Sequence, residues 1–313
     1  MINIVENEQL VCTVDSHGCE IKSVKDRKTG KEYMWNGDPA YWNRTSPVLF
    51  PFVGAVKDKE YRHNGKTYSI GQHGFARDME FSLLSDTRRK VSEPHNYSIL
   101  NEKTEEEMWM ELSETDETLA KYPFRFRLEI GYRLVGRTLS VMWRVINTNE
   151  TDMYFAIGAH PGFMLPAEDG CAFRLYDTKG NPVNSVKNRI FGTGGCVTDN
   201  TVTVETPEGK LPITGELFDG DALVIEDSQL GRVDIIPAGS ENPDSSVISV
   251  EFTSPLVGLW SPPHKNAPFV CIEPWYGRCD SESFGGDLKD REYEQTLKPG
   301  EDFRAEYTIT FGI

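Results

Sequence analysis

The chain has 313 residues, 38% hydrophobic and 11% aromatic, with 49 acidic against 33 basic side chains and a formal net charge of −16. That is ample apolar material for a buried core, while a charge of this sign repels phosphate backbones and excludes nucleic acid as an expected partner. The start MINIVENEQL has no basic and apolar leader pattern, and no run of about 18 apolar residues follows, so a soluble cytoplasmic protein without a membrane partner is expected.

In chain order, the first turn signal is Asn64-Gly65, between EYRH and KTYSI. Both turn positions must accept a positive φ, so this pair predicts a hairpin. The stretch EKTEEEMWMELSETDETLAK (102–121) is rich in helix formers, although its WMEL core suits a strand equally. From Phe124 to Leu134 the chain reads FRFRLEIGYRL. Phe124, Phe126, Leu128, Ile130, Tyr132 and Leu134 fall on one face; Arg125, Arg127, Glu129 and Arg133 fall on the other. Alternate side chains of a strand point to opposite faces, so this is a half-buried strand. Leu139, Val141, Trp143 and Val145 alternate again after Gly136, predicting a second hairpin. The stretch Ala238–Ser246 reads as a long loop, and FRAEYTITF near the end as another strand. The expectation is an all-β fold of many antiparallel strands, a large sandwich. No linker interrupts it, so residues 1–313 are read as one domain. The six cysteines are too dilute for a disulfide framework and are read as free thiols.

Three segments carry candidate chemistry: QHGFARD with His73 and Arg77, AIGAHPGF with His160, and CIEPWYG with Glu273. In the last two, an ionisable side chain follows an apolar run and meets proline. Proline cannot continue a ladder, so a strand end should present the polar group at a sheet rim. His17, His63 and His95 are read as surface residues, and Arg77 has Asp78 and Glu80 as simple ion-pair partners. No metal is expected, because the histidines are too scattered and no CxxC pair occurs. No GxSxG elbow is present, and FGTGGC lacks the lysine of a phosphate loop. What remains is an acid–base pair, since histidine and glutamate can hold opposite protonation states near neutral pH. Trp275, Phe163 and Phe75 are the aromatics expected to stack on a sugar ring. Cys271 is read as a buried strand cysteine.

The segments NRTSPVLFPFVG, HNGKTYSIGQHGFARD, GAHPGF, LFDGDALVI and IEPWYG occur in this order between residues 43 and 277. Together they resemble the aldose 1-epimerase (galactose mutarotase-like) family, its LacX-like branch in particular. The resemblance implies a galactose mutarotase-like β-supersandwich, a small sugar substrate and no cofactor. It implies His160 as general acid and Glu273 as general base. His73, Arg44 and Asp221 would contact the sugar, and Arg77 would reach it; a short alignment shift would select Asp219 instead of Asp221. Gly74 is expected to let the backbone pass close to the sugar. Relatives commonly carry arginine after the glycine of the FPxVG segment, where this chain has Ala55. Either Arg44, Lys57 or Arg77 covers that role, or the substrate differs. Interconversion of aldose anomers is the activity implied. A hexose-6-phosphate mutarotase and a non-catalytic carbohydrate-binding protein are the alternatives, with a glycoside hydrolase or lyase fainter. The sequence carries no sign of oligomeric state.

Overall fold

The computed structural model describes residues 1–85, 106–166, 170–240 and 246–312. The alternation after Phe124 forms the strand Phe126–Val135, which buries Phe126, Leu128, Ile130, Tyr132 and Leu134 on its inner face. Its hairpin partner, Thr138–Asn147, pairs Leu139 with Leu134 and Trp143 with Ile130. Gly136 turns the corner at φ +56. The outer face is less wet than the alternation suggests. Glu129 is buried there, held by Arg127 at 2.8 Å and Arg144 at 3.3 Å.

These two strands lie in a nine-stranded antiparallel sheet, and the late strand Asp302–Phe311 inserts between Ile248–Phe252 and Thr138–Asn147. The 102–121 stretch divides: Glu106–Ser113 is a strand of this sheet, and Asp116–Lys121 is a short helix with Thr115 capping its N-terminus. Residues 102–105, His95, and 241–245 of the expected loop lie outside the described residues. The Asn64-Gly65 turn joins Glu60–His63 to Lys66–Ser69, with φ +48 and +74.

A second sheet of eight strands faces the first. Phe126, Leu128 and Ile130 from one sheet share an apolar cluster with Val257, Leu259, Val270 and Ile272 from the other. Each such side chain contributes roughly 1.5–3 kcal/mol on burial. The second sheet is also covered on its far face. One cluster there joins Leu49, Val53, Leu256 and Trp275; another joins Trp35, Phe269 and Cys271. The strand Phe269–Tyr276 therefore alternates between two buried layers. Val270 and Ile272 point to the main core, while Phe269, Cys271, Glu273 and Trp275 point to the far layer, where the candidate site sits.

Proline does not stop this strand as expected. Pro274 lies inside it and pairs with Val257 of Leu256–Trp260. A strand in a sheet has two ladders, and the missing N–H affects only one. The ladder to Ile157–Ala159 pairs Ile157 with Tyr276 and Gly158 with Trp275, then breaks. It resumes in the same register at Gly162–Met164, where Gly162 pairs with Cys271. Pro161 and Pro274 thus flank an interval free of main-chain pairing between the two strands. Counting along the shared register, His160 stands opposite Glu273 in that interval.

Among the described residues the six cysteines are buried free thiols, and no helix is long and apolar enough to cross a membrane.

Candidate active site

Directly opposed side chains on one sheet face have Cβ atoms about 4.5–5.5 Å apart, so the register alone brings an imidazole and a carboxyl together. His160 Nε2 lies 3.2 Å from Glu273 Oε1. Both side chains are almost fully buried, at 10% and 2% exposure. Rings enclose the imidazole. Trp42 stacks on it at 4.7 Å between centroids, Trp260 meets it edge-on at 5.2 Å, and His73 edge-on at 5.7 Å.

Burial penalises whichever form is charged. It pushes His160 from 6.5 down to about 3, with a smaller contribution from the Arg77 charge. It pushes Glu273 well above 4.5, reinforced by the negative charge of Asp221. The Trp275 indole N–H leans toward the carboxyl and offsets part of this rise, but falls short of a hydrogen bond of good geometry. Burial therefore favours a neutral imidazole beside a protonated carboxyl. The pair then holds one proton, and an ion pair is the same proton count with the proton moved across.

His73 enters at φ +66, followed by Gly74 at φ +69. Its N–H donates to the Gly54 carbonyl at 2.9 Å, and the Gly54 N–H donates to its Nδ1 at 3.0 Å. With Nδ1 accepting, the neutral ring carries its hydrogen on Nε2. Burial, with the nearby His160, Arg77 and Arg44 charges, holds His73 well below 6.5, so it is a neutral donor. Gly74 has a different task from the one expected. A Cβ there would sit 2.3 Å from the Phe50 carbonyl oxygen, so the glycine admits this protein backbone rather than a sugar.

Arg44 and Arg77 approach from one side. The N–H groups of Thr45 and Ser46 donate to Glu20 Oε1 at 2.7 and 2.9 Å, which fixes the segment carrying Arg44. Arg44 donates to Asp78 Oδ1 at 2.6 Å. Arg77 donates to the Gln72 carbonyl at 2.9 Å, while its Nε is buried without a hydrogen-bond partner. Lys57 is not available to replace the arginine missing at Ala55. Its ammonium donates to the carbonyls of Glu282, at 2.6 Å, and Phe284, at 3.1 Å. Asp221 is exposed, at φ +78, and its charge acts on Glu273. Asp219 pairs instead with His264 at 2.9 Å.

The expected aromatic platform is corrected. Phe163 and Phe75 belong to the main core. Phe163 is one residue on from Gly162, so strand alternation turns it away from the site. Trp275 lies across the neighbouring strands. A Cβ on Gly258 would be 2.4 Å from its ring, and one on Gly158 would be 2.6 Å away. The rings beside His160 are Trp42 and Trp260, which the sequence reading passed over. Trp42 directly precedes the Asn43-Arg44 motif, and Trp260 shares a strand face with Gly258. Of the histidines read as surface residues, His17 is exposed beside Glu80, and His63 is half-buried against Phe124.

Comparison with known proteins bears on this geometry. The protein LacX (chromosomal) of Lactococcus lactis subsp. lactis is 29% identical over 317 residues, covering 98% of each chain. A galactose mutarotase related enzyme from Lactobacillus acidophilus superposes with a TM-score of 0.85 at 30% identity, covering 100% of this chain and 98% of that one. A galactose mutarotase-like protein from Lactobacillus casei gives 0.82 at 28% identity, covering 99% of each. The fold is thus of the galactose mutarotase-like type. The pattern that defines the family described as Aldose 1-epimerase matches residues 1–310, and the chain belongs to that family.

Proposed function

We propose that residues 1–313 act as one aldose 1-epimerase domain, an isomerase that interconverts the α and β anomers of a free aldose. The observation that carries this reading is the His160–Glu273 pair, 3.2 Å apart in a gap between two strands that proline keeps free of main-chain bonds. Glu273, as carboxylate, removes the proton from the C1 hydroxyl. His160, protonated, gives a proton to the ring oxygen. The bond from C1 to the ring oxygen opens, the aldehyde end rotates, and the ring closes on the other face with the two roles reversed. One proton shared by the pair suffices for both directions, and no cofactor takes part. His73, through Nε2–H, together with Arg44, Arg77 and Asp221, orients the ring and stabilises charge developing on its oxygens.

The environment of the basic groups favours a neutral sugar over a phosphosugar. Asp78 pairs with Arg44 at 2.6 Å and lies 3.8 Å from Arg77 Nε, the Arg77 guanidinium also donates to the Gln72 carbonyl, and Lys57 is committed to backbone carbonyls. A phosphate binder gains most from uncommitted guanidinium forks. The test is polarimetry of freshly dissolved α-D-glucose or α-D-galactose, with the spontaneous rate subtracted. The protein should speed decay to an unchanged endpoint. His160→Asn and Glu273→Gln should each slow the catalysed rate by about 10²–10⁴-fold. No acceleration with any free aldose overturns the substrate. If glucose-6-phosphate also fails while sugar still binds, the protein is a carbohydrate binder.

A further inference from the structure

The far layer of the second sheet holds a third chemically active group that the proton-transfer scheme does not use. Cys271 precedes Glu273 by two residues, so strand alternation puts both side chains on one face. It pairs with Gly162, which brings no side chain of its own, and His160 is two residues before that glycine. The thiol is therefore the diagonal neighbour of the imidazole and the direct strand neighbour of the carboxyl. One ligand atom from each of His160, Cys271 and Glu273 lies within 4.8 Å of the other two, and all three residues are buried.

The geometry points to a site for a borderline-soft divalent cation, Zn²⁺ above all, formed by His160, Cys271 and Glu273. Imidazole, thiolate and carboxylate are the three donor types zinc takes, at about 2.0–2.3 Å. Tetrahedral placement at those lengths needs donors roughly 3.3–3.8 Å apart. The His160–Glu273 contact, at 3.2 Å, falls just short of this, and the thiol, within 4.8 Å of both, closes the rest by a side-chain adjustment of about 1 Å. Hard cations such as Mg²⁺ and Ca²⁺ demand oxygen donors and are excluded by the sulfur and nitrogen. Three protein ligands leave one position for water or a sugar hydroxyl. The site differs from what histidine spacing suggests, because its ligands are joined by register across two strands rather than by a short motif.

The consequence is inhibition. A bound ion occupies the lone pairs that Glu273 and His160 would use on the sugar. The ion site rests on geometry alone; its inhibitory effect rests on the anomer-interconversion reading. The experiment is titration of the full chain with Co²⁺ as a spectroscopic probe, then displacement by Zn²⁺. A thiolate-to-cobalt charge-transfer band is expected at one equivalent, with visible bands of four-coordinate intensity. Cys271→Ser should abolish the charge-transfer band although the other five cysteines remain. His160→Asn, which keeps the thiol, should weaken binding by about tenfold or more. Zn²⁺ should suppress catalysed mutarotation and EDTA should restore it. Absence of the band, its persistence in Cys271→Ser, or unchanged affinity in His160→Asn overturns the site. A band without any mutarotation leaves the ion site standing and removes the functional reading; mutarotation without a band does the reverse.

Discussion

At the scale of single residues, His73 shows how backbone geometry sets side-chain chemistry. The reciprocal bonds with Gly54 fix the tautomer, and burial keeps the ring neutral, so one N–H is left to donate on a ring that meets His160 edge-on at 5.7 Å. Loss of a hydrogen bond to a group that gains charge costs about 1.5–3 kcal/mol. His73→Ala should therefore lower kcat/KM for the aldose by about 10- to 150-fold, and the anomerisation rate at saturating and limiting sugar measures it. An effect on thermal stability alone, with kcat/KM unchanged, would show that His73 is only a packing residue. The segments around His73, His160 and Glu273 were visible in the sequence because histidine or glutamate beside glycine, proline and aromatics is an unusual local combination. Trp42 and Trp260 were not visible, and Cys271 was visible only as a buried strand cysteine two residues before Glu273. Each is an ordinary apolar residue in its own segment and acquires a role only when the sheet sets it beside His160 or Glu273.

At the scale of elements, alternation told strand from helix, and the two glycine-bearing turns told where hairpins close. Register was another matter. Nothing in IEPWYG says that Pro274 spares one ladder and breaks the other, because that depends on which neighbour its missing N–H would have faced. The same pairing explains two small residues next to the site. Gly158 and Gly258 leave room for the Trp275 ring to lie across three strands. Gly258→Ala would push a methyl to 2.4 Å from that ring, with no positive φ to complicate the outcome. Overpacking of this kind costs about 1–3 kcal/mol. Gly220→Ala, where a Cβ meets nothing within 4 Å, should stay within about 0.5 kcal/mol of the parent. Urea denaturation of both variants makes the comparison. Equal midpoints would show that Trp275 has space to move, and that its position over the glycines does not hold the Glu273 strand in place.

At the scale of the whole molecule, the all-β architecture was legible because hydrophobic periodicity recurs along most of the chain. The charge distribution was not. A net charge of −16 suggests acids on the surface, yet a buried ionic network underlies the site. Arg278 binds Glu226 and Glu292, and Arg291 binds Asp280 at 2.7 Å and Glu294 at 2.8 Å. Asp280 in turn accepts from the Lys57 N–H and donates its own N–H to the Ala55 carbonyl, which ties the network to the segment that cradles His73. Burial raises Glu294 from 4.5 to about 7, although Arg291 opposes the rise. The folded state thus holds this proton more tightly than the unfolded chain does. Between pH 4.5 and about 7 the folded protein binds more protons, so stability falls as pH rises. The contribution is fully present below about 4.5 and is lost through about 7. At 1.36 kcal/mol per tenfold change in proton affinity, the span amounts to about 3 kcal/mol at most. Glu294→Gln keeps a hydrogen-bond acceptor for Arg291 and removes the titration. Its stability should decline less than the parent's between pH 5 and 7.5, by about 1–3 kcal/mol, as read from denaturant midpoints across that range. Parallel curves for the two proteins would mean that Arg291 keeps Glu294 ionised throughout and that the network is an ordinary buried salt bridge, insensitive to pH in this window.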